Sequence, residues 1–367
     1  MMMLRKLWQT PTALVTIICL IYVSLVLVLN EGDPKAFILL GTQFSEGDPL
    51  GTEGYDGQFA YQIAVNPSGA APFLDVPAYR YQRILYPLLA RLLALGQPVL
   101  IPWTLIIVNV LAIGLGTWAT EGTLRHFHVN RWYALAYGLY GGHMLTLRAD
   151  LNESVAHAFV QVAMLAWIKE RRWLAVLAFA LAALSKETTL IFWAAYIAFV
   201  LIKRQWRWVI SLGLAPVPFF LYQLFLWQWL GAFGIGSGGA GATPFSLIPL
   251  GGWLEIAGVS LAAFWLISLV VFPMSVLPSL IGVWLSARRL WQKKLDPLIL
   301  SLLLNSSILL FLPMSTFREP IAMLRLTLGV VAAMILFGAL HRSRRILNYS
   351  LFWIATNMLL IQGVAGG

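Results

Sequence analysis

Four short stretches of an otherwise apolar sequence combine acidic, basic and aromatic residues, and their side chains could do chemistry. A carboxylate beside a hydroxyl can act as a general base. Lysine and arginine can neutralise a phosphate, and arginine can bind it through two parallel hydrogen bonds. The stretches are EGYDGQFAY with Glu53 and Asp56, YRYQR with Arg80 and Arg83, RADLNES with Arg148, Asp150 and Glu153, and the pair SKET and FREPIAMLR with Lys186, Glu187, Arg318, Glu319 and Arg325. They predict a site for a phosphate-bearing ligand and a proton-accepting carboxylate.

Each stretch also has a purely structural interpretation. Asp56 precedes a short helical pattern and could be its N-cap, a role that is compatible with catalysis. Arg80 and Arg83 could face phospholipid headgroups. Lys186 and Glu187 could form a local ion pair in a tight turn. The residue pattern leaves these alternatives open.

Metal and nucleotide motifs are not indicated. Asp150 or Glu153 could cap the helix expected near Ser154. The nearby His143 and His157 have no metal-ligand spacing. The Gly-rich segment 231–252 contains GSGGAG without the Lys-Ser/Thr of a phosphate loop, so it predicts a mobile loop or lid.

The composition is that of a membrane protein. Of the 367 residues, 60% are hydrophobic and 11% are charged, against about 25% charged in soluble domains. Apolar runs of roughly 20 residues recur along the chain and predict an all-α polytopic membrane protein. The single cysteine, Cys19, excludes a disulfide within the chain.

The apolar runs predict about eleven spans in a single transmembrane domain, 1–367. The first run, after a basic start, is interpreted as a retained helix because a signal peptide would be shorter and end in a cleavage site. We divide the domain into a first outer loop (31–97), core spans (98–230), a Gly-rich outer loop (231–257) and C-terminal spans (258–367). The spans are expected near 12–30, 98–119, 132–147, 152–168, 173–185, 188–202, 208–230, 258–285, 295–313, 321–340 and 346–363.

The net charge of +10 is explained by topology rather than by nucleic-acid binding. Under strict alternation of the spans, most lysines and arginines fall on one side, which the positive-inside rule makes cytoplasmic together with the N-terminus. The four charged stretches then lie on the extracytoplasmic side. Within the first outer loop, 56–64 and 80–95 have apolar residues at helical spacing, which predicts two helices in the membrane plane, the second kinked at Pro87.

Several motifs resemble GT-C-type integral-membrane glycosyltransferases. YDGQFAYQIA followed by PAYRYQRILYPLLA resembles their first outer loop, in particular that of bacterial proteins of cell-surface glycopolymer formation and, more distantly, glycosylphosphatidylinositol mannosyltransferases. LAFALAALSKETTLIF is similar to a helix and turn of protein O-mannosyltransferases and lipid A aminoarabinose transferases. The resemblance covers roughly residues 10–210, and FREPIAMLR adds a weaker match.

This resemblance implies a GT-C-like bundle, in a bacterial plasma membrane, that takes its sugar from a polyprenyl phosphate. It implies that Asp56 is the general base in an inverting transfer and that Asp150 orients the acceptor or binds a metal. Lys186 and the outer arginines would hold the phosphate. No Asp-x-Asp pair occurs in the first loop, so neither a metal nor another cofactor is indicated. The substrate-binding candidates are Glu53, Tyr55, Gln58, Tyr61, Arg80, Tyr81, Arg83, Arg148, Glu153, Lys186, Glu187, Arg318 and Arg325.

Three functions compete at this stage. The first is a glycosyltransferase whose partners are the polyprenyl-phosphate sugar, membrane lipid and a glycan, lipid or protein acceptor. The second is a lipid or glycolipid flippase, and the third a non-catalytic subunit of a glycan-assembly complex. A flippase predicts charges deep within the spans, where this sequence has almost none, so the pattern favours the enzyme. No nucleotide-binding Gly-rich strand–helix unit occurs, which disfavours a soluble nucleotide-sugar donor.

Overall fold

A computed structural model describes residues 9–239 and 241–360, and these residues form helices and connecting segments without a strand. The first outer loop, which positions the candidate site, carries short helices between two long ones. The α-helices up to residue 148 are α1 (Pro11–Leu29), α2 (Thr42–Ser45), α3 (Gly57–Val65), α4 (Pro77–Tyr81), α5 (Leu85–Leu93), α6 (Ile101–His126), α7 (Leu135–Gly138) and α8 (Gly141–Arg148).

The remaining helices form the rest of the bundle. They are α9 (Glu153–Ile168), α10 (Arg172–Ser185), α11 (Leu190–Ile202), α12 (Trp206–Gly213), α13 (Val217–Leu230), α14 (Gly251–Val259), α15 (Leu261–Val271), α16 (Leu277–Trp291), α17 (Pro297–Leu310), α18 (Met314–Phe317), α19 (Pro320–Leu340) and α20 (Arg344–Ser350). A π-helical turn, Phe272–Val276, joins α15 to α16. The 3₁₀ segments are Pro34–Phe37, Ala71–Phe73, Pro98–Leu100, Arg131–Ala134, Glu187–Thr189 and Leu351–Leu360.

Five helical stretches are long and apolar enough to cross a membrane, which is the composition of an integral membrane protein. They are Pro11–Leu29, Pro98–His126, Trp206–Leu230, Leu261–Trp291 and Pro320–Leu340. Shorter apolar helices lie at Glu153–Ile168, Arg172–Ser185, Glu187–Ile202 and Pro297–Leu310. The number of eleven crossings stays a prediction.

Two of the expected spans are divided into short pieces. The run 132–147 consists of Arg131–Ala134, α7 and α8, because the chain turns at Tyr140 before Gly141. The backbone N–H of Gly141 donates to the hydroxyl of Thr356, and a Cβ on Gly141 would lie 2.5 Å from that oxygen. The run 346–363 consists of α20 and the 3₁₀ segment Leu351–Leu360, and its last three residues lie outside the described part.

The bundle is organised around two buried helices. α9 packs against α6, α10 and α19. In the most apolar stretch of α19, 78% of the residues are buried, a larger share than in the other four membrane-length stretches. Since α9 and α19 both begin at the same end of the bundle as the first outer loop, polar residues in their first turns can meet residues of that loop.

The two helices predicted in the first outer loop are present with different limits. α3 lies within one residue of the expected 56–64. The expected helix 80–95 is instead two helices, α4 and α5, separated by Gln82–Ile84. Instead of a kink at Pro87, the structure has a break at Gln82–Ile84, and Pro87 lies in the first turn of α5, where a backbone N–H has no intrahelical partner. Arg91 joins α5 to α3 by donating to the carbonyls of Ala64 and Val65 at 2.9 and 2.7 Å.

Candidate functional site

Asp56 occupies the N-cap position of α3, but its carboxylate caps nothing there. One carboxylate oxygen accepts a hydrogen bond from Nη1 of Arg325 at 2.5 Å, and the other lies 3.0 Å from Nη2 of Arg80. The side chain is 29% exposed. The interpretation of Asp56 as a side-chain cap is therefore wrong, since the arginines outcompete the backbone for its oxygens.

Gly57 places Asp56 beside the turn that carries Asp150. A Cβ on Gly57 would lie 2.0 Å from the carbonyl oxygen of Ala149 and 3.0 Å from its carbonyl carbon. The backbone of α3 can therefore approach the α8–α9 turn this closely only with glycine at this position. The Asp-Gly pair of the sequence motif thus brings two candidate acids to the same place.

Arg325 connects Asp56 to a buried carboxylate. Its Nε donates to Oε1 of Glu153 at 2.6 Å, and Nζ of Lys186 donates to the same oxygen at 2.6 Å. The Glu153 side chain is 0% exposed and that of Lys186 is 5% exposed. The local ion pair between Lys186 and Glu187, one of the alternatives left open by the sequence, is not formed: Lys186 has an extended backbone, and the two side chains pair with Glu153 and Arg83 instead.

Arg80 and Arg83 are held on one side of the same cavity. Arg80 forms a two-bond fork with Asp75, both bonds at 2.7 Å, and its guanidinium lies 4.2 Å from the centre of the Phe59 ring. Arg83 forms a similar fork with Glu187 at 2.9 and 2.6 Å. Both guanidinium groups are thus paired with carboxylates of the protein.

These residues form one charged cluster with equal numbers of acids and bases. Its members are Asp56, Asp75, Glu153 and Glu187, with Arg80, Arg83, Lys186 and Arg325. Buried charges are tolerated when they are paired and hydrogen-bonded, which this arrangement provides. An anion that enters the cluster must therefore share arginines that already have carboxylate partners.

The electrostatic environment keeps Asp56 ionised. Burial by itself would raise the pKa of Asp56, but Arg325 and Arg80 outweigh burial and hold that pKa below its ordinary range. A carboxylate in this state is a weak base. It becomes a stronger base only when the arginines are drawn away from it.

The pKa of Asp150 is shifted in the opposite direction. Its side chain is 0% exposed, and burial raises its pKa well above the ordinary value. One carboxyl oxygen lies 3.5 Å from the hydroxyl of Tyr86, which in turn accepts a hydrogen bond from Asn109 at 2.8 Å. Asp150 also has a left-handed backbone, φ 47°, an uncommon conformation that recurs at functional sites. A protonated Asp150 can donate a hydrogen bond but is a poor metal ligand.

The charged cluster opens into a cavity with about 370 Å³ of empty space, part of which is open to solvent. Its polar lining includes both candidate catalytic acids, and its apolar lining includes Phe59, Ile63 and Tyr86. The polar residues of the lining are Asp56, Arg80, Arg83, Asp150, Asn152 and Arg325.

An apolar groove of about 610 Å³ begins one helical turn further along the same two helices. On α5 the lining passes from Tyr86 in the cavity to Leu89 and Leu92 in the groove. On α9 it passes from the N-cap Asn152 to Val155. A ligand with a charged head and an apolar tail could therefore occupy cavity and groove together.

Ten of the thirteen predicted binding residues lie outside the cavity lining. Three of these, Glu153, Lys186 and Glu187, belong to the charged cluster behind it, and the other seven lie elsewhere. Gln58 joins the backbones of Gly41 and Glu53, Arg148 donates to the carbonyl of Ala36, and Tyr81 packs edge-on against Trp229. Glu53 and Arg318 are exposed and have no ion pair within the described residues. Tyr61 is partly buried against the apolar core. Tyr55 is also outside the lining, with its ring 5.8 Å from the Arg325 guanidinium.

Sequence reasoning missed several residues of the site. Asp75 fixes Arg80, and the Tyr79 ring lies 4.2 Å from the guanidinium of Arg83. Tyr86 and Asn152 line the cavity. Of these residues, only Asp75 could have been identified from the sequence, because it is an acidic residue five positions before Arg80 and just before the start of α4.

Within residues 9–239 and 241–360, no group of three or more His, Cys, Asp or Glu side chains is arranged to hold a metal ion. Comparisons with protein-family models, curated proteins and solved structures found no match for this chain. Fold and site together define a helical integral membrane protein with a charge-balanced, partly buried cavity at one end of its bundle.

Proposed function

We propose that this protein is a glycosyltransferase that moves a sugar from a polyprenyl phosphate to an acceptor hydroxyl. One observation carries the proposal: the carboxylate of Asp56 is shared by Arg80 and Arg325 in a cavity, and the two helices α5 and α9 that line this cavity also line an apolar groove one helical turn further on. This reaction requires three elements: a carboxylate base, cations that bind a phosphate, and an apolar channel for the isoprenoid tail.

We assign the two chemical parts of the donor, its phosphate and its isoprenoid tail, to two regions of the site. Its phosphate lies between Arg80, Arg83 and Arg325, which line the cavity and can each present two parallel donors. Its isoprenoid tail follows the groove past Leu89 and Val155. The anomeric carbon is then held beside Asp56.

The chemical step conserves the charge of the site. The acceptor oxygen forms a bond to the anomeric carbon, on the face opposite the phosphate, and the bond from that carbon to the phosphate oxygen breaks. Its electron pair leaves with the phosphate, whose charge goes from −1 to −2, and the acceptor proton passes to Asp56. As Asp56 becomes neutral it releases Arg80 and Arg325, which stabilise the new phosphate charge. The same two arginines thus serve base and leaving group in turn.

The raised pKa of Asp150 favours its neutral form, and that form is suited to orient a hydroxyl. Asp150 lies in the cavity lining with Asn152, and as a neutral acid it can donate a hydrogen bond to the sugar or to the acceptor. This role agrees with the one that the sequence resemblance implies, and it requires no metal.

A second candidate function, passage of a lipid headgroup across the membrane, has one observation in its favour. One and two turns below Glu153 on α9 lie His157 and Gln161, both buried. Nδ1 of His157 and both amide atoms of Gln161 have no hydrogen-bond partner in the part of the chain that the structure describes. Buried polar atoms of this kind normally contact water or a ligand.

The deciding experiment uses the purified protein and a panel of polyprenyl-phosphate sugars. Release of free polyprenyl phosphate, dependent on an acceptor, is expected from the unaltered chain. Asp56→Asn should lower the rate at least about 100-fold while donor binding persists. Glu53→Gln, three residues away but exposed, is the matched control and should keep its rate. Equal rates in both variants contradict the proposal, and lipid translocation without release favours the second candidate.

A further inference from the structure

A second groove lies at the end of the bundle opposite the charged cavity. It is formed by the last turns of α6 and α9 and the start of α10, and it comprises about 1150 Å³ of empty space, part of which is open to the surroundings. The carbonyl of Leu105 on α6 contacts Tyr86 of the charged cavity, and Arg125 of the same helix lines the second groove. Twenty helical residues separate them, so the two sites are about 30 Å apart.

The second groove has apolar walls and a basic rim. Trp118, Leu165 and Leu174 contribute to the walls, and Trp118 and Leu174 are 48% and 42% exposed. Four basic side chains from three elements form the rim: Arg125 and His126 end α6, Lys169 ends α9, and Arg171 precedes α10. The acid between the last two, Glu170, is not part of the lining.

The positive charge of this rim is largely unneutralised. Lys169 and Arg171 are exposed and form no ion pair within the described residues. Arg125 reaches only Glu121, at 3.8 Å, and that carboxylate is also 3.5 Å from Arg131. The neighbouring Arg172 differs, since its guanidinium lies 3.9 Å from the centre of the Trp167 ring and donates to the Trp167 carbonyl.

We infer that this groove is a binding site for an acidic phospholipid. A phospholipid presents acyl chains to Trp118 and Leu174 and a phosphate to Lys169, Arg171 and Arg125. Basic pockets between membrane helices bind anionic headgroups in this way. The apolar walls favour a lipid over a free phosphate ion, and the excess of cations favours an acidic lipid over a zwitterionic one.

The site is tested by titrating the detergent-solubilised full chain with phosphatidylglycerol or phosphatidylcholine and counting bound lipids by native mass spectrometry. The unaltered chain should retain phosphatidylglycerol in preference to phosphatidylcholine. The double variant Lys169→Gln with Arg171→Gln should weaken phosphatidylglycerol binding at least about tenfold. The control, Lys293→Gln with Lys294→Gln, removes two equally exposed charges elsewhere and should bind like the unaltered chain.

Three results would overturn the inference: no preference between the two lipids, equal losses in both double variants, or displacement of the lipid by inorganic phosphate at the same concentration. The last would identify a simple anion site. Because the assay measures lipid binding and not sugar transfer, its outcome is independent of the Asp56 experiment.

Discussion

Arg325 on α19 and Asp56 at the start of α3 are joined by a hydrogen bond of 2.5 Å, although 269 positions separate them in the chain. The same guanidinium also binds Glu153, through its Nε at 2.6 Å. Arg325 thus links the first outer loop to two buried helices of the bundle. This contact holds the candidate base in place and also lowers its basicity, so a donor phosphate that competes for Arg325 would make Asp56 a stronger base.

The first prediction concerns this double contact. Arg325→Lys should weaken donor binding about tenfold and lower turnover, because one ammonium group cannot bridge Asp56 and Glu153 as a planar guanidinium does. Binding of a polyprenyl-phosphate analogue and release of polyprenyl phosphate measure the two effects. Arg318→Lys, seven residues earlier and exposed, should leave both unchanged. Identical behaviour of the two variants would remove Arg325 from the phosphate site.

The second prediction concerns Glu153, the buried acceptor for Lys186 and Arg325. Glu153→Gln should lower the free energy of unfolding by about 3–5 kcal/mol, because it leaves Lys186 buried without a carboxylate partner. Denaturant unfolding in a fixed detergent measures this difference. Glu46→Gln at an exposed position should stay within about 0.5 kcal/mol of the unaltered chain. A loss no larger than that of the control would show that the buried pair contributes little.

The sequence predicted some of these relationships but not others, for physical reasons. The helix α3 could be predicted from the spacing of Phe59 and Ile63, because this pattern involves only residues that are close in sequence. The meeting of Asp56 with Arg325 depends on how α19 packs, and local pattern contains no information about it. Lys186 and Glu187 are adjacent in sequence, yet their carboxylate and guanidinium partners lie on different elements.

The same limit explains why some predicted binding residues lie outside the cavity lining. Gln58 and Arg148 belong to polar motifs, but their side chains bind backbone carbonyls and amides of the loop around residues 36–53. The sequence shows that buried polar side chains need hydrogen-bond partners, but it does not show which groups those partners are. A polar motif beside an apolar helix end therefore predicts the region of a site better than its individual members.

The third prediction uses the opposite pKa shifts of the two candidate acids. The pKa of Asp56 is lowered when folded, so its ion pairs stabilise the fold above about pH 4, and this stability is lost as pH falls through the folded pKa. The pKa of Asp150 is raised in the folded state. Above about pH 4 the folded chain therefore binds more protons at Asp150 than the unfolded chain does, and the contribution of Asp150 to stability falls as pH rises.

Asp56→Asn should therefore melt at a lower temperature than the unaltered chain at neutral pH, with a difference that shrinks below about pH 4. Asp150→Asn should gain stability relative to the unaltered chain as pH rises above about 4. Melting temperatures from pH 3 to pH 8 for the three chains measure both trends. Parallel curves for the two variants would contradict the opposite directions of the two pKa shifts.

The fourth prediction concerns Gly57, which sets the distance between the two acids. Gly57→Ala should lower stability by about 1–3 kcal/mol and also lower transfer, because the new Cβ would lie 2.0 Å from the carbonyl oxygen of Ala149. That atom belongs to the backbone, so the start of α3 must move and carry Asp56 away from Arg325. Gly213→Ala is the matched control, since a Cβ there meets nothing within 4 Å and alanine is the better helix former. Retained stability and transfer in Gly57→Ala would show that α3 and the α8–α9 turn do not need this close approach, and that Asp56 reaches its arginines from a looser loop.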